Sequence, residues 1–138
     1  MRKTCTIIAA TALAAALLPG TASATPGSGV AGTILAQKTV GKTDYTLREI
    51  TIQPGGYTGW HFHDGTLYAY VKAGTLTHNL ADCSLDGVFG TGRAFSEKPD
   101  QVHIGRNLGS TPLVLEVLYV LPAGSPLSED APDPGCGF

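Results

Sequence analysis

From Val30 to Leu121 the chain reads as a succession of short β-like runs cut by Gly, Pro and Asp. The runs are Val30–Val40, Tyr45–Gln53, Tyr57–His63, Leu67–Lys72 and Thr75–Leu80, with two shorter ones, Gly92–Ser96 and Gln101–Ile104, on either side of Pro99. Pro54-Gly55-Gly56, Asp64-Gly65 and Gly74 supply turn chemistry between them. Ile50 and Ile52, two residues apart, fall on one face of their run. Ala81 to Gly90 reads as a loop. Leu113–Leu121 is almost wholly apolar, the pattern of a strand buried on both faces rather than half-exposed. From Ser125 onward Pro, Asp and Gly predict an irregular tail. No run after residue 24 sustains a helical period, and no internal repeat is visible. Short strands at regular spacing with Gly/Pro turns predict an all-β sandwich or barrel.

The first residues follow a different rule. Arg2 and Lys3 precede an apolar run from Ile7 to Leu18, which Pro19-Gly20 breaks before the small-x-small sequence Ala22-Ser23-Ala24. This is the pattern of a secretory signal peptide over residues 1–24. The run is shorter than the roughly 20 apolar residues that a spanning helix needs. The remainder divides into an N-terminal segment with a first strand (25–43), a main domain (44–122) and a Pro/Gly-rich tail (123–138). Without the leader it carries seven Lys/Arg against eleven Asp/Glu, a formal net charge of −4. With no basic run left, nucleic acid and anionic membrane are excluded as expected partners. Cys83 and Cys136 remain, an even pair in an exported chain, and are expected to form a disulfide that ties the tail to the domain. Two free thiols or Cys ligands are the alternative. The expected location is extracellular.

The candidate chemistry lies in the histidines. His61 and His63, separated by one residue on a predicted strand, point to the same face, where both imidazoles can reach one metal ion. Trp60 and Phe62 then point the other way, into packing. His103, forty residues on, offers a third imidazole from a neighbouring strand. An HxH pair alone is also common without a metal. His78 lies outside this pattern and reads as exposed or hydrogen-bonded. Glu116 in the apolar run reads as either outward-facing or lining a cavity. Tyr45, Tyr57, Tyr70 and Tyr119 read as core aromatics. No phosphate-binding loop, Gly-x-Ser-x-Gly or Cys–His nucleophile pairing occurs.

Two longer patterns contain these histidines. Gly56-Tyr-Thr-Gly-Trp-His61-Phe-His63, followed by Leu67–Ala73 and Gly74, resembles the first motif of the cupins. Gly92-Arg-Ala-Phe-Ser-Glu-Lys-Pro99-Asp-Gln-Val-His103-Ile-Gly-Arg-Asn107 resembles their second motif. The resemblance runs from about residue 45 to 121 and implies a double-stranded β-helix, the cupin jelly-roll barrel, with His61, His63 and His103 as metal ligands. Gly74 then serves as a turn residue and Asn107 as an amide that fixes a loop. The family's glutamate falls on Leu67 or Tyr68, neither a carboxylate; a packed aromatic is the expected role of Tyr68. Three neutral imidazoles leave a divalent ion (Fe, Mn, Zn, Ni or Cu) its full charge and an open position, which favours the family's three-histidine dioxygenases. The expectation is thus a metal-dependent oxidoreductase on a small molecule. A non-catalytic module that binds a small ligand or the metal is the alternative, and a monomer and a homodimer remain equally open.

Overall fold

The computed structural model describes residues 25–138; the leader expected over residues 1–24 lies outside them. Among the described residues there are ten strands and no helix: β1 Ser28–Val40, β2 Thr43–Tyr57, β3 His61–Phe62, β4 Thr66–Ala73, β5 Thr75–Leu80, β6 Leu85–Gly90, β7 Ala94–Glu97, β8 His103–Arg106, β9 Leu113–Pro122 and β10 Glu129–Asp130. Every pairing is antiparallel. The strands follow the order β10-β3-β8-β2-β9-β4-β7, with β1 on the free side of β2 and β5 joining β8 to β6. The sheet curls into a nearly closed barrel, so the jelly-roll expectation holds.

Alternation builds the interior. On β9, Leu113, Leu115, Val117, Tyr119 and Leu121 are buried while the residues between them are only half-buried or exposed. They face Ile52, Ile50, Arg48, Thr46 and Asp44 of β2 in register. Leu67, Ala69 and Val71 of β4 complete the cluster. Burying each such aliphatic side chain contributes about 1.5–3 kcal/mol. Trp60, Ile104 and Ala131 form a second cluster, with Phe62 and Cys136 packed against it, so Trp60 and Phe62 do turn away from the histidines.

Four expectations need correction. β9 is not buried on both faces; its outer side carries Glu116, which with Glu49 pairs to Lys72 at 3.1 and 2.7 Å. Glu116 therefore faces outward. Tyr45, Tyr57, Tyr68 and Tyr70 are exposed, because the inward rows are already filled by their aliphatic neighbours. The segment expected as a loop contains β6, a short edge strand half of whose residues are exposed and which is interrupted by Gly87. The tail is not wholly irregular either: β10 pairs with β3, and Cys136 is bonded to Cys83.

Two positions of the motifs have clear tasks. Gly74 sits at φ +79°, and a Cβ there would lie 2.8 Å from Leu113 Cα and Pro112 O, so the β4–β5 turn admits only glycine. The buried Asn107 amide donates to the carbonyls of Ile52 and Thr111, both at 2.9 Å, and accepts from Gly109 N at 3.0 Å. Asn107→Ala leaves those backbone groups without partners and is expected to cost about 1–3 kcal/mol in a denaturant titration. A loss below 0.5 kcal/mol would show that water replaces the amide.

Candidate metal centre

Four histidines and one glutamate meet inside the barrel. His61 on β3 stands directly opposite His103 on β8, and their rings are 4.3 Å apart. His63 follows β3 into the same space, with its ring 5.2 Å from that of His103. One ring nitrogen each of His61, His63 and His103 lies within 4.8 Å of the other two, a span that one ion with bonds of about 2.1 Å draws together. The structure thus brings the three sequence-predicted histidines to one point.

It also adds two residues that sequence reasoning did not assign there. His78 is buried on the inward row of β5 beside Leu76, with its ring 4.7 Å from His103. Glu97, at the end of β7, pairs in register with Leu67. Its carboxylate therefore occupies the neighbourhood where the family's motif expects a glutamate on β4. Glu97 Oε2 is 3.2 Å from His63 Nε2 and 3.4 Å from His103 Nε2, and Oε1 is 3.3 Å from His78 Nε2. A signal for both was present: Leu76-x-His78 and Phe95-x-Glu97 alternate as strand residues do. What was missing was the knowledge that these alternations face the histidines.

The hydrogen bonds fix the tautomers. Nδ1 of His61 donates to Gly59 O at 2.9 Å, that of His63 to Leu127 O at 2.7 Å and that of His103 to Gln101 O at 2.7 Å. Nδ1 of His78 donates to the Asp86 carboxylate at 3.0 Å. A carbonyl or carboxylate oxygen only accepts, so each Nδ1 carries a proton, and in a neutral ring Nε2 is then the nitrogen that presents a lone pair. Nε2 of His63, His78 and His103 is buried and has no hydrogen-bond partner. Lone pairs thus face a carboxylate at 3.2–3.4 Å, an arrangement that needs a cation between them, either added protons or a metal ion. The residues fit a divalent metal, and the carbonyl and carboxylate partners are those that orient ligating imidazoles.

The acid–base behaviour follows. Burial pushes the Glu97 carboxyl up, but the imidazoles of His103, His63 and His78 beside it outweigh burial and hold Glu97 well below the usual range. Burial, helped by the neighbouring His103, lowers His61 to about 3. Burial also lowers His78, yet Glu97 and Asp86 together leave it raised. Because His61 stays neutral in the folded chain, the unfolded chain binds more protons between pH 3 and 6.5. Its contribution to stability is present above pH 6.5 and is lost as pH falls toward 3. Melting of metal-free protein from pH 7 to 4 should show a smaller fall in Tm for His61→Gln than for the parent; equal falls would contradict the assignment.

Two cavities with His61, His63 and Tyr119 in both their walls adjoin the cluster. The inner one, about 40 Å³, is lined by Ile50, Leu67, Ala69, Leu115 and Val117 besides the histidines. It holds only a few water-sized ligands at roughly 10–15 Å³ each. The outer one, about 110 Å³, opens past His61, His63 and Tyr119 to Arg48, Ser128 and Asp130.

The model of the cupin domain family matches residues 48–121, more than half of the chain. The chain belongs to the cupin family. Solved structures agree on the cupin fold. The polyketide cyclase RemF of Streptomyces resistomycificus superposes with a TM-score of 0.60 at 20% identity, covering 80% of this chain and 79% of that one. A cupin-2 domain from Rhodospirillum rubrum gives 0.61 at 14% identity over 75% and 66% of the two chains. A Klebsiella pneumoniae protein with a double-stranded β-helix domain gives 0.58 at 17% identity over 74% and 84%. No curated protein matches this cupin. Identities this low speak for the fold alone.

Proposed function

We propose that this protein is an exported cupin that binds one divalent metal ion through His61, His63 and His103, with Glu97 as the fourth donor, and acts on a small molecule at that metal. The observation that carries the reading is the convergence of Nε2 lone pairs on a buried carboxylate while every Nδ1 is already engaged. Export is supported by the leader pattern and by the Cys83–Cys136 bond.

Glu97 changes the chemical argument. The gap at Leu67 does not leave three neutral imidazoles on their own, because the neighbouring strand returns a carboxylate. Imidazoles with one carboxylate and an open position suit Fe(II), which supplies dioxygen activation when bound. We therefore place the cupin first among metal-dependent, dioxygenase-like oxidoreductases. The chain's own residues do the rest. The Nδ1 bonds hold the rings in place, and the aliphatic wall of the inner cavity excludes water. Buried Tyr119 keeps its hydroxyl proton, since burial raises it.

The small inner cavity and the fifth donor, His78, favour a second reading, in which the metal is closed off and the cupin only binds it. Azide added to Co(II)-loaded protein separates the two. A shift of the visible bands shows an open position and supports catalysis; unchanged bands support the binding module. Turnover and oxygen uptake with Fe(II), across a substrate panel, then test the activity itself. For Glu97, Glu97→Gln is expected to weaken metal binding roughly 10–100-fold in a competition titration. Unchanged affinity would remove Glu97 from the donor set.

A further inference from the structure

Arg48 is out of place for a barrel wall. It stands on the inward row of β2 between buried Thr46 and Ile50, opposite buried Val117. Its side chain lines the outer cavity together with His61, His63 and Tyr119. Among the described residues no carboxylate lies within 4.0 Å of its guanidinium, whereas Lys72 on the outer surface has two. Asp130, at the exposed rim of the same cavity, is the one acid that lines it. The chain also keeps room for this group. A Cβ on Gly32 of β1 would overlap Nη2, Cζ and Nε of Arg48, so the guanidinium lies directly against the backbone of β1.

An inward cation without a carboxylate partner, in a cavity that it shares with His61 and His63, has the chemistry of a substrate anchor. A guanidinium offers two parallel N–H donors that match a carboxylate. We infer that Arg48 binds the carboxylate of a small organic acid in the outer cavity and so directs the rest of that molecule at the metal. This rests on the metal reading above and narrows it to carboxylate-bearing substrates. Gly32 is then a positioning residue, which acts by leaving the guanidinium its place.

The test uses Co(II)-loaded protein and two probes of equal shape, propionate and propionamide. Binding is followed by the visible cobalt bands and by the backbone amide resonances of Gly32 and Arg48, with cobalt content measured alongside. Propionate is expected to bind roughly tenfold or more tightly than propionamide. Arg48→Met should abolish that preference, Arg48→Lys should restore part of it, and Gly32→Ala should weaken propionate alone by displacing the guanidinium. A preference that survives in both Arg48→Met and Gly32→Ala would mean that the metal alone recognises the carboxylate, and would overturn the inference. Protein that takes up no cobalt fails the metal reading instead. In that event a saturable propionate shift at Gly32 and Arg48, absent in Arg48→Met, still supports the anchor, and no shift overturns it.

Discussion

Reloaded with a divalent ion after chelation, this cupin is expected to melt roughly 15 °C above its metal-free form. The estimate comes from linkage. An ion present at a thousand times its Kd stabilises the folded state by about 4 kcal/mol, and a domain of this size shifts by roughly 4 °C per kcal/mol. The physical source is local: three buried Nε2 atoms and the Glu97 carboxylate repel one another unless a cation lies between them. Loading should also release protons, because protons hold the metal-free cluster together and the ion replaces them. Protein purified without chelator or affinity nickel should carry about one equivalent of metal, and a His61→Ala/His103→Ala variant should carry none and gain no stability from added metal. Equal metal content in the two proteins would refute the site. So would an absence of binding after reconstitution with Fe, Mn, Zn, Ni and Cu.

Removing the disulfide should have a comparable effect. Cys83 and Cys136 are 53 residues apart, and closing a loop of that length stabilises the fold by about 4 kcal/mol in the chain-entropy view. Cys83→Ser/Cys136→Ser is expected to lower Tm by roughly 15 °C at a constant metal load. The loss should reach the metal centre as well. The tail delivers Leu127, whose carbonyl accepts from His63 Nδ1, and Ala131, whose backbone N donates to Trp60 O. It also carries Phe138, whose ring centroid lies 3.9 Å from the Arg106 guanidinium carbon. A loosened tail frees the His63 ring, and metal affinity should fall roughly tenfold, as it does when other partners of ligating histidines are removed. A full loss of stability with unchanged metal affinity would show that β10 holds Leu127 in place without the disulfide.

Much of the architecture was legible in the order of residues, because strand alternation and turn chemistry are local. Ile50 and Ile52 on one face, the Gly74 turn, the outward turn of Trp60 and the shared face of His61 and His63 all follow from a period of two. The half-exposure of β9 was not legible, since an apolar outer row looks the same whether or not anything covers it. Nor were the exposed tyrosines, whose burial depended on which of two alternating rows had already filled the core. β6 escaped because Asp86 and Gly87 interrupt its alternation and only Phe89 packs against the core.

The chemistry divides along the same line. By itself the sequence determined that three histidines in two cupin motifs share a barrel, since each spacing is a statement about one or two neighbouring strands. Only the tertiary structure decided that Glu97 stands beside Leu67, that His78 turns toward the same carboxylate and that Arg48 rests on Gly32. These contacts join residues 16 to 30 positions apart in the chain. Their register is set by how the sheet closes, and no local pattern encodes that.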